Sequence, residues 1–242
     1  MNWNIWLVLE KIRFANQLGW TVSTDVIIGL PEYGISGILS DMDSLIEIGV
    51  EGFSIYELVQ SSRNRLFFNK FHLANQPILE KFVMFQTAFQ HLLKRGYQNN
   101  LYNHLSKKVD KNIYFTSPSR HEDLLGMGTI ADGYFGNFLY RHGSYLHYLK
   151  AVTEMNPGLE GGLFRSAAET KYRQLEIELR SGKPDPLVFA SILSEEKAMK
   201  LFARWIRLKM INIDPSGESC SLTPNGAWFI GRLLSEASDE IQ

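Results

Sequence analysis

The sequence predicts an α/β region followed by a winged-helix-like α+β domain, and three observations carry that reading. Helical and strand-like hydrophobic patterns alternate over residues 1–160. Asn156-Pro-Gly-Leu-Glu-Gly-Gly162 then reads as the clearest linker in the chain. Over residues 161–242 the order changes to three helices, a hairpin and a closing helix.

Each element has its own signal. Trp3 to Leu18 places Trp3, Leu7, Ile12, Ala15 and Leu18 at helical spacing and stops at Gly19. Thr21 to Pro31 is a β-branched run closed by Gly29 and Pro31, which fits a buried parallel strand running into a loop. Ile35, Ile38, Leu39, Met42, Leu45 and Ile46 mark a second helix, and Gly52 to Leu58 a second strand, so the order is a βαβ unit. Ile78 to Lys94 predicts an amphipathic crossover helix with Leu79, Phe82, Val83, Phe89 and Leu93 on its buried side.

Tyr97 to Tyr114 shows no sustained period, and Leu124 to Gly133 is punctuated by glycine; both are placed near a pocket. Ser144 to Met155 predicts a short helix. Helices follow over Ala167 to Arg180, Pro186 to Leu193 and Glu195 to Met210, then a hairpin from Ile211 to Leu222 around Asp214-Pro-Ser-Gly217. Thr223 is the N-cap of the last helix, with Pro224 at its first position.

Composition narrows the function. The chain has 242 residues, 45% of them hydrophobic, enough for one large or two small domains. Its 25 Lys and Arg nearly balance 26 Asp and Glu, which argues against bulk attraction to nucleic acid or an acidic membrane. No apolar run approaches the roughly 20 residues of a membrane span, and no secretory signal is evident, so a cytoplasmic location is expected. One cysteine, Cys220, cannot form an intrachain disulfide or hold a metal cluster by itself.

Asp25-Val-Ile-Ile-Gly-Leu-Pro31 is the most specific string. Parallel strands of α/β folds present ligand-binding groups at their carboxyl ends, and Gly29 with Pro31 allows close backbone approach and a sharp exit there. Asp25, expected to be buried, either accepts from ligand hydroxyls or caps a loop or pairs with a basic core residue.

The string resembles the Asp-Leu-Ile-x-Gly-Leu-Pro of radical S-adenosylmethionine (SAM) enzymes of the oxygen-independent coproporphyrinogen III oxidase family. Ser54-Ile-Tyr56 resembles that family's next strand, at the matching distance. Asp123-Leu-Leu-Gly-Met-Gly-Thr-Ile-Ala131 is similar to its Leu-Gly-Met/Leu-Gly-x-x-Ala segment, and Leu222-Thr-Pro-Asn-Gly226 to its Leu-Thr-x-x-Gly. The resemblance runs from about residue 10 to about residue 236.

The resemblance implies the second half of an open (β/α) radical-SAM barrel, followed by the winged-helix-like domain. It also implies that Asp25 contacts the ribose or methionine end of S-adenosylmethionine, that Ile27 touches the adenine, and that Gly29 and Val59 complete the cofactor site. Tyr56, His104, Gly126 and Gly128 become residues of the substrate pocket, and the substrate a tetrapyrrole such as coproporphyrinogen. In such an enzyme a 5′-deoxyadenosyl radical abstracts hydrogen from the substrate. The family's Cys-x3-Cys-x2-Cys loop has no counterpart here, so an iron-sulfur cluster is expected only in an intact protein that supplies the first barrel half, and the chain alone is expected to be inactive. A related non-catalytic heme-binding carrier is the alternative.

Other candidates are weaker. Arg63, Arg65, Lys107, Lys108 and Arg120 could pair with propionates or form a solvated basic surface. His104, His121, His142 and His147 lack metal-binding spacing, and no metal is assigned. Ser62-Arg63-Asn64 stands where the family commonly has Pro-Gly-Thr, which leaves the substrate open. Lys197, Lys200, Arg204 and Arg207 share a helix face, as in a winged-helix DNA reader, yet residues 166–242 hold ten Lys and Arg against eleven Asp and Glu. DNA binding is therefore disfavoured. Half a barrel leaves strand edges without neighbours, so the isolated chain is expected to self-associate; a sharp monomer peak in size-exclusion chromatography with cooperative unfolding would contradict this.

Overall fold

The computed structural model describes residues 5–62, 64–71, 73–107, 123–214 and 219–241. The chain divides into two compact units, Met1–Lys111 with Trp205–Ile230, and Asn112–Arg204 with Gly231–Gln242.

The first unit begins with α1 (Ile5–Gln17), β1 (Ser23–Ile28), α2 (Ile35–Glu47) and β2 (Gly52–Glu57). β1 and β2 are parallel, with Asp25 opposite Ser54 and Ile27 opposite Tyr56, so the predicted βαβ unit is present. Next come α3 (Arg65–Lys70), α4 (Ile78–Lys94), β3 (Gln98–Leu101) and β4 (His104–Ser106). The sheet order is β1-β2-β4-β3, and β4 is antiparallel to both neighbours. β3 therefore runs with β1 and β2, and α4 does bridge parallel strands, but an antiparallel strand fills the place between them. The sheet is mixed and open, and no closed barrel forms among the described residues.

The sheet's helical side holds the core. Ile28, Phe53, Ile55 and Leu105 pack with Ile12 of α1, Ile38 and Met42 of α2, and Phe85, Ala88, Phe89 and Leu92 of α4. Two expected helix faces need correction. On α4 the buried residues are Lys81, Phe85, Ala88, Phe89 and Leu92, whereas Leu79 and Val83 are 69% and 52% exposed. Apolar residues occur nearly all round this helix, so periodicity alone does not choose the inward stripe. On α1, Ile12 is buried while Leu7 and Leu18 are exposed.

A third correction concerns the run from Tyr97. Residues 98–101 and 104–106 are the strands β3 and β4, too short and too polar to show alternation, and 108–114 lie outside the described residues. Tyr97 itself is buried against Phe53, with ring centroids 5.3 Å apart, and donates its hydroxyl to the Val50 carbonyl. Burial, with a smaller contribution from the nearby Glu51 carboxylate, pushes the Tyr97 hydroxyl up to about 12.

The second unit contains β5 (Asp132–Phe135), β6 (Phe138–His142), α5 (Tyr145–Thr153) and β7 (Leu159–Phe164), the strands forming an antiparallel sheet in chain order. Leu159–Gly162, expected to be linker, is thus the first part of β7. Gly162 lies opposite Tyr140, and a side chain there would stand 2.5 Å from the Phe138 ring, so glycine serves close packing in a strand. α6 (Ala167–Arg180) starts with a Ser166–Glu169 capping box, and α7 (Pro186–Ile192) with Asp185 accepting from the Leu187 amide.

α8 (Glu195–Arg207) runs on into the first unit. There β8 (Ile211–Ile213) and β9 (Cys220–Leu222) form the predicted hairpin, whose residues 215–218 are outside the described set. α9 (Pro224–Trp228) carries the predicted cap, Thr223 Oγ1 accepting from the Gly226 amide, and α10 (Ile230–Ser238) follows. Trp228 sets its ring 5.3 Å from that of Phe85. Among the described residues no helix is long and apolar enough to cross a membrane.

Phe89→Ala is expected to cost about 3–5 kcal/mol, and Leu79→Ala within about 0.5 kcal/mol of zero; urea unfolding monitored by circular dichroism measures both. Because folding raises the Tyr97 hydroxyl from 10.0 to about 12, its contribution is present below pH 10 and lost between about pH 10 and 12. Tyr97→Phe should flatten the alkaline fall in melting temperature over that window and remove one late transition from the 295 nm absorbance titration.

Candidate functional site

Side chains alternate along a strand, so the parallel register sorts β1 and β2 by face. Thr24, Val26 and Ile28 turn with Phe53, Ile55 and Glu57 toward the helices, leaving Asp25 and Ile27 beside Ser54 and Tyr56 on the other face. β4 extends this second face, because His104 pairs in register with Ser54. Four of the predicted site residues, Asp25, Ile27, Tyr56 and His104, thus share one face of the sheet.

Their environments form a gradient. Asp25 is exposed, Ile27 and Tyr56 are 43% and 38% exposed, Ser54 is buried, and His104 is 1% exposed. The expectation of a buried Asp25 is corrected: facing away from the helices, its carboxylate keeps its hydration and needs no core partner. β1 is an edge strand, and no other strand covers its outer side among the described residues. Ser54 Oγ lies 2.9 Å from His104 Nδ1, a buried polar pair at the closed end of the face. Sequence reasoning does not single out Ser54 as a site residue, although its place in the Ser54-Ile-Tyr56 string is visible.

The strand exits are held by backbone and side-chain hydrogen bonds. After β1 the backbone turns at Gly29 with φ +80, and the Leu30 carbonyl accepts from Gln76 Nε2 at 2.9 Å. Tyr33 donates to Asp41 Oδ2 at 2.5 Å, and this hydrogen bond, with burial, pushes its hydroxyl up to about 12. After β2 the Leu58 amide donates to the Ile28 carbonyl at 2.9 Å, which ties the two exits together. Val59 is 59% exposed, and its carbonyl accepts from Asn64 Nδ2 at 2.8 Å.

The remaining candidates sit elsewhere. Gly126 and Gly128 belong to the second unit. A side chain at Gly126 would meet the Asp132 carbonyl oxygen at 2.8 Å, and Gly128 turns with φ +89 while its carbonyl accepts from His142 Nδ1. Each glycine therefore has a packing or turn requirement of its own. Arg65 is exposed, Lys107 lies over the Tyr97 ring at 5.1 Å, and Arg63, Lys108, Arg120 and His121 lie outside the described residues. On α8, Lys197 pairs with Glu240 at 3.7 Å and Arg204 with Glu236 at 3.2 Å, which neutralises half of the basic stripe.

No family model matches this sequence, and no curated protein matches it. Among solved structures, coproporphyrinogen III oxidase from Escherichia coli, described as a radical SAM enzyme, is similar with a TM-score of 0.75 at 16% identity. The match covers 98% of this chain and 59% of that one, so this chain spans less than two thirds of the enzyme's length. The likeness is one of fold: over almost its whole length, the chain resembles part of a radical SAM enzyme.

Proposed function

We propose that the open face of the β1-β2 strand pair binds S-adenosylmethionine, and that the chain is the carboxyl-terminal portion of a radical SAM oxidoreductase acting on a tetrapyrrole of the coproporphyrinogen kind. The observation that carries this reading is the place of Asp25, a solvated carboxylate midway along β1 that shares its sheet face with Ile27 and Tyr56, which lead toward the coupled exits of the two parallel strands. Ligands of α/β sheets are bound outside the carboxyl ends of their strands.

Each residue has a task on this face. The Asp25 carboxylate accepts from ribose hydroxyls, and the exposed Ile27 side chain offers apolar contact to the adenine. Backbone groups near Gly29 and Val59 read the purine edge, since amides and carbonyls at strand exits supply directional hydrogen bonds. Tyr56, partly exposed, orients the substrate's polar groups further along the face, and the buried Ser54–His104 pair packs beside Asp25 without reaching solvent. Bound S-adenosylmethionine supplies radical hydrogen abstraction when it is reductively cleaved.

An iron-sulfur cluster does not fit this chain's own residues. Cys220 is its one cysteine and is buried, and no cluster of three His, Cys, Asp or Glu exists among the described residues. Ligation of a cluster is accordingly assigned to polypeptide outside this sequence. The basic stripe of α8 is proposed not to read DNA, in keeping with the paired Lys197 and Arg204.

Calorimetric titration with S-adenosyl-L-homocysteine tests the nucleoside site without a cluster. Wild-type protein should bind the probe, and Asp25→Ala should weaken binding by about 1.5–3 kcal/mol, the worth of hydrogen bonds to a charged group. Equal affinity in the variant, or no binding by the wild type, overturns the assignment.

A further inference from the structure

Lys81 is the one charged side chain on the inward face of α4, and it is only 3% exposed. A buried ammonium must be paired and hydrogen-bonded. Its Nζ lies 2.6 Å from Glu57 Oε1, donates to the Leu58 carbonyl at 3.1 Å and to Asn75 Oδ1 at 3.4 Å. Two of these partners belong to the end of β2 and the third to the segment leading into α4.

The stem of the same side chain defines the other exit. A Cβ at Gly29 would stand 2.4 Å from Lys81 Cδ and 2.8 Å from Cγ. Only glycine combines that contact with φ +80, so the β1 exit rests directly on the lysine's methylenes. The neighbouring Gln76 side chain fixes the Leu30 carbonyl. One lysine therefore props the turn after β1 and clamps the turn after β2, the two segments that flank Ile27 and Val59.

We propose that Lys81, acting with Glu57 across Gly29, is the positioning residue of the candidate nucleoside site: it sets the separation of the β1 and β2 exits and with it the backbone groups that face the ligand. This rests on the proposed nucleoside reading but adds a determinant that touches no ligand. A positioning defect changes affinity in a folded protein, whereas a structural role alone changes stability.

The experiment uses the full chain as wild type, Lys81→Met, Glu57→Gln and Gly29→Ala. S-adenosyl-L-homocysteine is titrated calorimetrically into each, and amide exchange is followed over residues 27–30 and 57–60, with Phe53–Ile55 as internal reference. Lys81→Met and Gly29→Ala should bind the probe about tenfold more weakly and exchange about tenfold faster in the two exit segments, with the reference unchanged. Glu57→Gln, which keeps the side-chain volume, should show the same pattern more weakly and decides the matter if Lys81→Met fails to fold. Wild-type affinity in folded variants overturns the proposal, as does exchange that is unchanged or raised equally everywhere. If wild-type protein does not bind the probe, the nucleoside reading fails, and the exchange arm alone decides whether Lys81 sets the exits.

Discussion

The parallel pairing of β1 with β2, covered by helices on one side, is the constraint on which the rest of the first unit depends. With Asp25 opposite Ser54, every other residue of each strand is committed to the core, and the intervening ones face away from it. A slip of one residue would turn Asp25 toward the helical core and expose Val26 and Ile28. The hydrophobic gain of the helical side thus specifies the polar side, and the candidate site is the complement of the core.

Rigidity at the strand ends comes from polar groups. The amide of Leu58 reaches the carbonyl of Ile28, Gln76 reaches Leu30, Tyr33 reaches Asp41, and Lys81 reaches Glu57 and Leu58. These bonds satisfy backbone and side-chain groups where the ladder ends, and all but the local Tyr33–Asp41 bond join residues distant in sequence. A loop held in this way presents its remaining amides and carbonyls in a defined arrangement, which is what recognition of a purine edge requires.

Fold likeness and function stand on different ground. The similarity to a radical SAM enzyme extends over almost the whole chain at 16% identity, a level at which topology persists while sites diverge. The functional reading accordingly draws on Asp25, Ile27, Ser54, Tyr56 and His104 and their shared face. The second unit contributes no residue to that reading: Gly126 packs on the Asp132 backbone and Gly128 accepts from His142.

The order of amino acids alone settles the helices and strands of the βαβ unit, the limits of α4, the cap at Thr223 and the βαβ order itself. Each follows from local rules, namely hydrophobic period, glycine and proline stops, and a hydroxyl within reach of a free amide. It also marks β1 and β2 as neighbours in space, because two short apolar strands around one helix pair in parallel, although their register is left to the tertiary structure. Only tertiary structure decides which stripe of α4 turns inward, since apolar residues occur nearly all round it and Lys81 joins the core through Glu57. The antiparallel place of β4, the strand hidden in Leu159–Gly162 and the solvation of Asp25 belong to the same class. Each depends on partners far away in the chain, whose distance in space no local pattern encodes.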